Sequence, residues 1–232
     1  TAAAARLWPE VQQALGLLRQ ALLRAQDFEP ARDVASISIA LNDEGEPLLL
    51  PRLLAEIQRS APQAAVHSVR LGRSALRTDL ASGRLDIAID VAQATSADVF
   101  HLPLARDPYV VVRHTDQPLT EAAYRAARHV LVSTLRNGRS VEDQALLQAG
   151  VERDIAARCQ RYDTACRLVA QTDWLLTMPR SLAEPLNAEL GNHLLAMPLH
   201  LPDVELHLYW HQQRDADPHN SWLRQCVLAA AR

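Results

Sequence analysis

The first 26 residues carry a repeating apolar seam: Leu7, Val11, Ala14, Leu18 and Ala21 recur at alternating steps of four and three, with Leu15 and Leu22 beside them. Such spacing predicts one helix with a narrow, coiled-coil-like stripe, although a helix packed on its own domain reads the same way. The pattern breaks at Asp27-Phe28-Glu29-Pro30, where Pro30 disfavours helix at Glu29.

From residue 34 the chain alternates short β-branched runs with helical spacings. Strands are predicted at 34–41, 64–71, 85–91, 99–104 and 108–113, with helices at 48–57 and 74–82 between them. The second half repeats the theme, with strands at 129–133, 151–159, 173–178, 194–197 and 204–211. Helices are expected at 121–127, 139–148, 163–171, 181–190 and 217–230. Gly83, Gly150 and Gly191 follow three of these helices and read as C-terminal stops. Asp163 is a plausible N-cap for the helix it precedes.

Strands interleaved with helices imply an α/β fold with mostly parallel pairing, and two such runs imply two Rossmann-like lobes. The expected division is a helix over 1–30, a first lobe from 31–110 with 207–232, and a second lobe over 111–206. The strands near Tyr109–Arg113 and Leu206–Trp210 are expected as two crossover strands between the lobes, with a cleft between them.

The composition fits a soluble globular protein: 48% hydrophobic and 22% charged residues over 232 positions, with no apolar run near the ~20 residues of a membrane span. No secretory signal is visible, and Thr1 is not an initiator Met, so the chain reads as a fragment or a processed product. A net charge of -3 lacks the basic excess expected of a stand-alone DNA-binding domain. Every basic residue is Arg, which reads as base-composition bias. Cys159, Cys166 and Cys226, an odd count without CxxC spacing, argue against disulfides or a zinc knuckle and read as small buried hydrophobes in a reducing cytoplasm.

None of GxSxG, HExxH, GxGxxG or GxxxxGK[ST] occurs, and seven Gly leave little for a phosphate-cradling loop. The expectation is therefore no enzyme, no cofactor and no metal. His207, Tyr209 and His211 share one face of a strand by its two-residue period. Two imidazoles there could bind a metal, but a half-buried strand face is the simpler reading.

Strand tips are more informative, because open α/β sheets take ligands at the carboxyl ends of their strands. Asn42-Asp43-Glu44, the segment Ser133-Thr134-Leu135-Arg136-Asn137-Gly138, and Tyr162-Asp163-Thr164 qualify. Each also reads as ordinary helix capping. Acidic groups at the first and third tips repel an anion, whereas Arg136 and Arg139 flank the second. An effector carboxylate would point at residues 134–139, and an aromatic or apolar body would rest near Met178-Pro179 and Val91-Ala92.

The stretch SISIALNDEGEPLLLPRLLAEIQRSAP, then LRTDLASGRLDIAID, resembles the effector domain of LysR-type transcription regulators. PLARDPYVVVRHTDQPLT fits the same pattern, with Gln117-Pro118-Leu119 where His-Pro-Leu is frequent. The ending, with Trp210, Asp217, Pro218, Trp222, Leu223 and Arg224, is similar to that of the nodulation and aromatic-degradation regulators. Residues 1–26 resemble the end of the linker helix. The resemblance implies a periplasmic-binding-protein-like fold and a small-molecule effector held between lobes by Asn42, Asp43, Ser133 and Thr134. It also implies a homodimer or homotetramer that pairs helix 47–59 and strand 64–70 of one chain with helix 139–149 and strand 152–158 of another. DNA would be met only through an N-terminal winged helix-turn-helix outside this sequence, in the cytoplasm and with no membrane partner. The alternative is a periplasmic solute-binding protein, which shares the fold but should be monomeric.

Overall fold

A computed structural model describes residues 2–24, 28–42, 45–133 and 140–231. The elements run α1 (Ala2–Arg24), α2 (Pro30–Asp33), β1 (Ser36–Leu41), α3 (Gly45–Ser60), β2 (Ala65–Arg70), α4 (Leu76–Ala81), β3 (Ile87–Val91) and β4 (Val99–Asp107). They continue with β5 (Tyr109–Arg113), α5 (Glu121–Ala126), β6 (Arg128–Val132), α6 (Val141–Gln148), β7 (Asp154–Cys159), α7 (Tyr162–Val169), β8 (Leu175–Pro179) and α8 (Arg180–Asn187). The last are β9 (His193–Ala196), β10 (Val204–His211) and α9 (Pro218–Ala230). Two compact units result: Thr1–Ala105 with Glu205–Arg232, and Arg106–Val204.

Unit 1 is built on a five-stranded sheet in the order β2-β1-β3-β10-β4. β1 pairs in parallel with both β2 and β3, whereas β10 returns antiparallel to β3. The two-residue period of β1 sends Ile37, Ile39 and Leu41 to one face, where Leu53 and Ile57 of α3 and Leu223 and Val227 of α9 bury them. Ala40 points the other way with Ala88 of β3, against Leu76 and Leu80 of α4.

Asp86, at the mouth of β3, locks this layer. Its carboxylate accepts from the Ser38 amide at 2.8 Å, and its carbonyl accepts from Asn220 Nδ2 of α9 at 2.8 Å. Burial pushes the Asp86 carboxyl above its usual range. The LDIAID stretch thus ties β1, β3 and α9 together.

Unit 2 has the sheet order β7-β6-β8-β5-β9, with β6 parallel to β7 and β8 and β5 antiparallel to β8 and β9. Parallel pairing therefore stops, in both sheets, at a strand adjoining a passage between units: β10 in unit 1 and β5 in unit 2. Tyr109–Arg113 lies wholly within unit 2; the chain passes between units at 105/106, inside β4, and at 204/205, at the start of β10.

The three glycine stops have left-handed φ near 70°. At Gly83 a Cβ would also come within 2.6 Å of the Arg214 guanidinium. The expected N-cap at Asp163 is corrected: Arg161 occupies the cap position without a side-chain cap bond, and Asp163 is the second residue of α7. The Asp163 carboxylate instead accepts from Arg161 Nε at 3.0 Å and the Thr164 amide at 2.7 Å. That arginine holds the carboxyl below its usual range. On α1, the seam residues Leu7, Val11 and Leu18 are exposed, as is Leu15.

Candidate functional site

In unit 1 the carboxyl ends of β1 and β3, with the loop after β2, converge on one buried carboxylate. Asp90 has a fully buried side chain at the end of β3. Arg73 reaches it from the β2–α4 loop through Nε at 2.7 Å and Nη2 at 3.0 Å. Gln93 Nε2 donates to it at 3.0 Å and Asn42 Nδ2 at 3.4 Å. A charge removed from water needs several donors, and this carboxylate has one from the adjoining Gln93 and others from two segments elsewhere in the sequence, at Arg73 and Asn42.

Asn42 works in two directions. Its Oδ1 accepts from the Gly45 amide at 2.6 Å, holding the start of α3, while its amide turns to Asp90. Val91 and Ala92 are placed by backbone bonds: Val91 O accepts from Tyr209 Oη at 3.0 Å, and Ala92 N donates to Glu205 O at 2.8 Å. Tyr209 Oη also accepts from the Gln93 amide at 3.1 Å, so one phenol fixes both sides of the β3 tip. The structure therefore brings Asn42, Val91 and Ala92 to one end of one sheet; Asp43 lies outside the described residues.

Arg73, Asp90 and Gln93 escaped the sequence reading, and Tyr209 entered it only as part of a strand face with His207 and His211. A signal existed for Asp90: it is a carboxylate inside IAIDV, a five-residue strand with every position buried, and such a charge requires a partner. Nothing local identifies Arg73 as that partner.

The face with His207, Tyr209 and His211 is divided among separate contacts. His211 Nε2 lies 3.4 Å from Asp98, whose carboxyl is held well below its usual range by Arg77. His207 meets His101 of β4, a ring the sequence reading did not include.

In unit 2, Ser133 follows β6 and its amide donates to Cys159 O at 2.9 Å, so the ends of β6 and β7 adjoin. Asp163 and Thr164 follow from β7, with Thr164 exposed. Thr134 and Arg136, and Arg139 with them, lie outside the described residues. Met178 is placed differently from the expected ligand seat. It is fully buried, with its sulfur 3.8 Å from Cys166 Sγ in the core. Pro179 is buried opposite Tyr109 in the β5–β8 ladder and flanks the start of α8.

Behind these tips runs a buried polar layer that supports unit 2. Tyr124 Oη bonds Thr177 Oγ1 at 2.7 Å. Arg153, almost wholly buried, donates to Asp143 at 2.5 Å. The Tyr162 hydroxyl donates to the buried Glu142. His129 contacts the Tyr124 carbonyl through Nε2 at 2.9 Å, and burial lowers its pKa to about 4. Cys166 is likewise pushed up to about 11 by burial, which keeps it a thiol.

Comparison with known proteins finds the family described as "LysR substrate binding domain" matching residues 31–232. The HTH-type transcriptional activator NahR of Pseudomonas putida is 28% identical over 229 residues, covering 97% of this chain and 76% of that protein. A probable transcriptional regulator of Pseudomonas aeruginosa, solved by crystallography, superposes with a TM-score of 0.81 at 30% identity, covering 98% of this chain and 77% of the other. The regulatory domain of MexT, a transcriptional activator of the same organism, superposes with a TM-score of 0.71 at 27% identity, covering 84% and 98%. These similarities favour a regulator domain over a transport protein. Among the described residues no helix is long and apolar enough to cross a membrane.

Proposed function

The chain belongs to the LysR substrate-binding domain family, and from that premise we propose that it senses a small-molecule effector for a transcription regulator. The observation that carries the reading is the set of polar groups gathered at the ends of parallel strands in unit 1: Asn42, Arg73, Asp90 and Gln93. Open α/β sheets present ligand-binding groups at that end.

The proposed contacts are Asn42, Asp43, Val91 and Ala92 in unit 1, and Ser133, Thr134, Arg136, Asp163, Thr164 and Pro179 in unit 2. Met178 shapes the core behind them. An effector with a carboxylate or an aromatic body suits this set. The proposed act is binding alone: the effector favours one conformation, and a coupling of about 1–3 kcal/mol passes to DNA through another part of the regulator. In this reading the regulator works in the cytoplasm as a homodimer or homotetramer.

The test is a thermal-shift screen of carboxylates and aromatics, followed by calorimetry on each hit. Ser133→Ala should weaken binding roughly three- to tenfold, as expected for one lost hydrogen bond, with little loss of folding. Unchanged affinity would remove Ser133 from the site. A screen in which no compound stabilises the protein would count against sensing itself.

A further inference from the structure

Gly16 sits where helix formation alone disfavours it. It lies inside the 23-residue α1, and only proline ranks lower than glycine in a helix interior. Its φ is not left-handed, so no turn requires glycine there. Close approach does. A Cβ at residue 16 would lie 3.4 Å from Nη2 of Arg214, and one at Gly83 would lie 2.6 Å from the same atom. One guanidinium nitrogen therefore rests against both α1 and the turn that ends α4.

Arg214 is itself held in place. Its Nη1 donates to Asp217 Oδ2 at 3.1 Å, and the fully buried Asp217 carboxylate also accepts from the His219 amide at 3.2 Å as the cap of α9. In the same turn Asn220 Nδ2 donates to the Asp86 carbonyl at the mouth of β3. Contacts thus run from β3 through the first turn of α9 to Arg214, and from Arg214 to α1. The face of α1 that meets them is not its apolar seam. Over residues 7–19 the partly buried positions are Pro9, Gln12 and Gly16, which share one face at steps of three and four. Leu7, Val11, Leu15 and Leu18 are exposed, and helical geometry puts them on the opposite side.

We propose that Arg214 is the seat of α1 on unit 1: a positioning residue that sets the helix against the α4 turn and the start of α9, with Gly16 as its contact on the helix. A helix that turned an apolar stripe to its own domain would be held by burial of that stripe. Here the seat is a charged side chain against a glycine, so α1 is tied by a contact that one side-chain movement releases. A shift of the β3 mouth or of the α9 start moves Asp217, and with it Arg214 and the helix.

The test is amide hydrogen exchange on the full chain, read by mass spectrometry on peptides from α1. Gly16→Leu and Arg214→Ala should each speed exchange in α1 by about threefold or more, because each lifts the helix from its seat. The double variant should recover most of the lost protection, since a leucine at 16 fills the room that the guanidinium leaves. Amides of β1 should keep their parent rates in Gly16→Leu, which shows that unit 1 is intact; this variant leaves the Arg214–Asp217 bond in place and decides the matter alone should Arg214→Ala fail to fold. Exchange in Gly16→Leu equal to or slower than in the parent would overturn the seat, because that is the direction in which leucine's higher helix propensity moves an unseated helix. So would a double variant that exchanges as fast as Gly16→Leu.

Discussion

Arg73 and Asp90 form a two-pronged ion pair in which a half-exposed guanidinium, 53% accessible, covers a carboxylate that is 0% accessible. The asymmetry sets the energetics. Arg73 alone would be well solvated, while Asp90 without it would retain only Gln93 and Asn42 among its named donors.

Arg73→Ala should therefore destabilise unit 1 by about 1–3 kcal/mol, a range set by leaving a buried acceptor short of donors and reduced by solvent around the guanidinium. In an Asp90→Asn background the same change should cost clearly less, because the buried charge is already gone. Urea denaturation of the four proteins measures the coupling. Equal costs in both backgrounds would mean that the pair contributes nothing.

Leu53 and Leu54 are adjacent and chemically identical, yet only Leu53 is fully buried in the unit 1 core. Leu53→Ala should cost about 2–5 kcal/mol and Leu54→Ala less than half as much. Leu53→Asp should leave unit 1 unfolded. A stable Leu53→Asp protein of altered oligomeric state would identify this helix face as an interface instead.

His129 makes stability depend on pH in a defined direction. Burial lowers its pKa from 6.5 to about 4, so between these values the unfolded chain takes up a proton that the folded chain refuses. Its neutral form contributes fully above pH 6.5, and that contribution falls by up to about 3 kcal/mol as pH drops toward 4. His129→Gln should flatten this part of the stability curve relative to the parent. Parallel curves from pH 4 to 7 would contradict the assignment.

Tyr209→Phe removes a hydroxyl that serves two backbone groups, Gln93 N and Val91 O. A loss of about 1–3 kcal/mol is expected, with faster hydrogen exchange at the Gln93 amide. An unchanged exchange rate there would show that the phenol does not anchor the β3 tip.

The sequence alone determined most of the elements, because their signals are local; the short α2 was not among them. Ile37, Ile39 and Leu41 alternate across a strand, Leu49, Leu53 and Ile57 recur at helical spacing, and Gly83, Gly150 and Gly191 permit the left-handed turn that ends a helix. Asn42 and Ser133 were also legible, since a polar residue closing an apolar strand stands out in one dimension. Tertiary structure decided which of these positions meet. Arg73 finds Asp90 across 17 residues, Tyr209 finds Gln93 across 116, and His101 finds His207 across 106. Periodicity specifies which face a side chain takes, but sheet order and strand direction specify its neighbour. Those follow from burying whole faces at once, a property of the assembled sheet that no single segment carries.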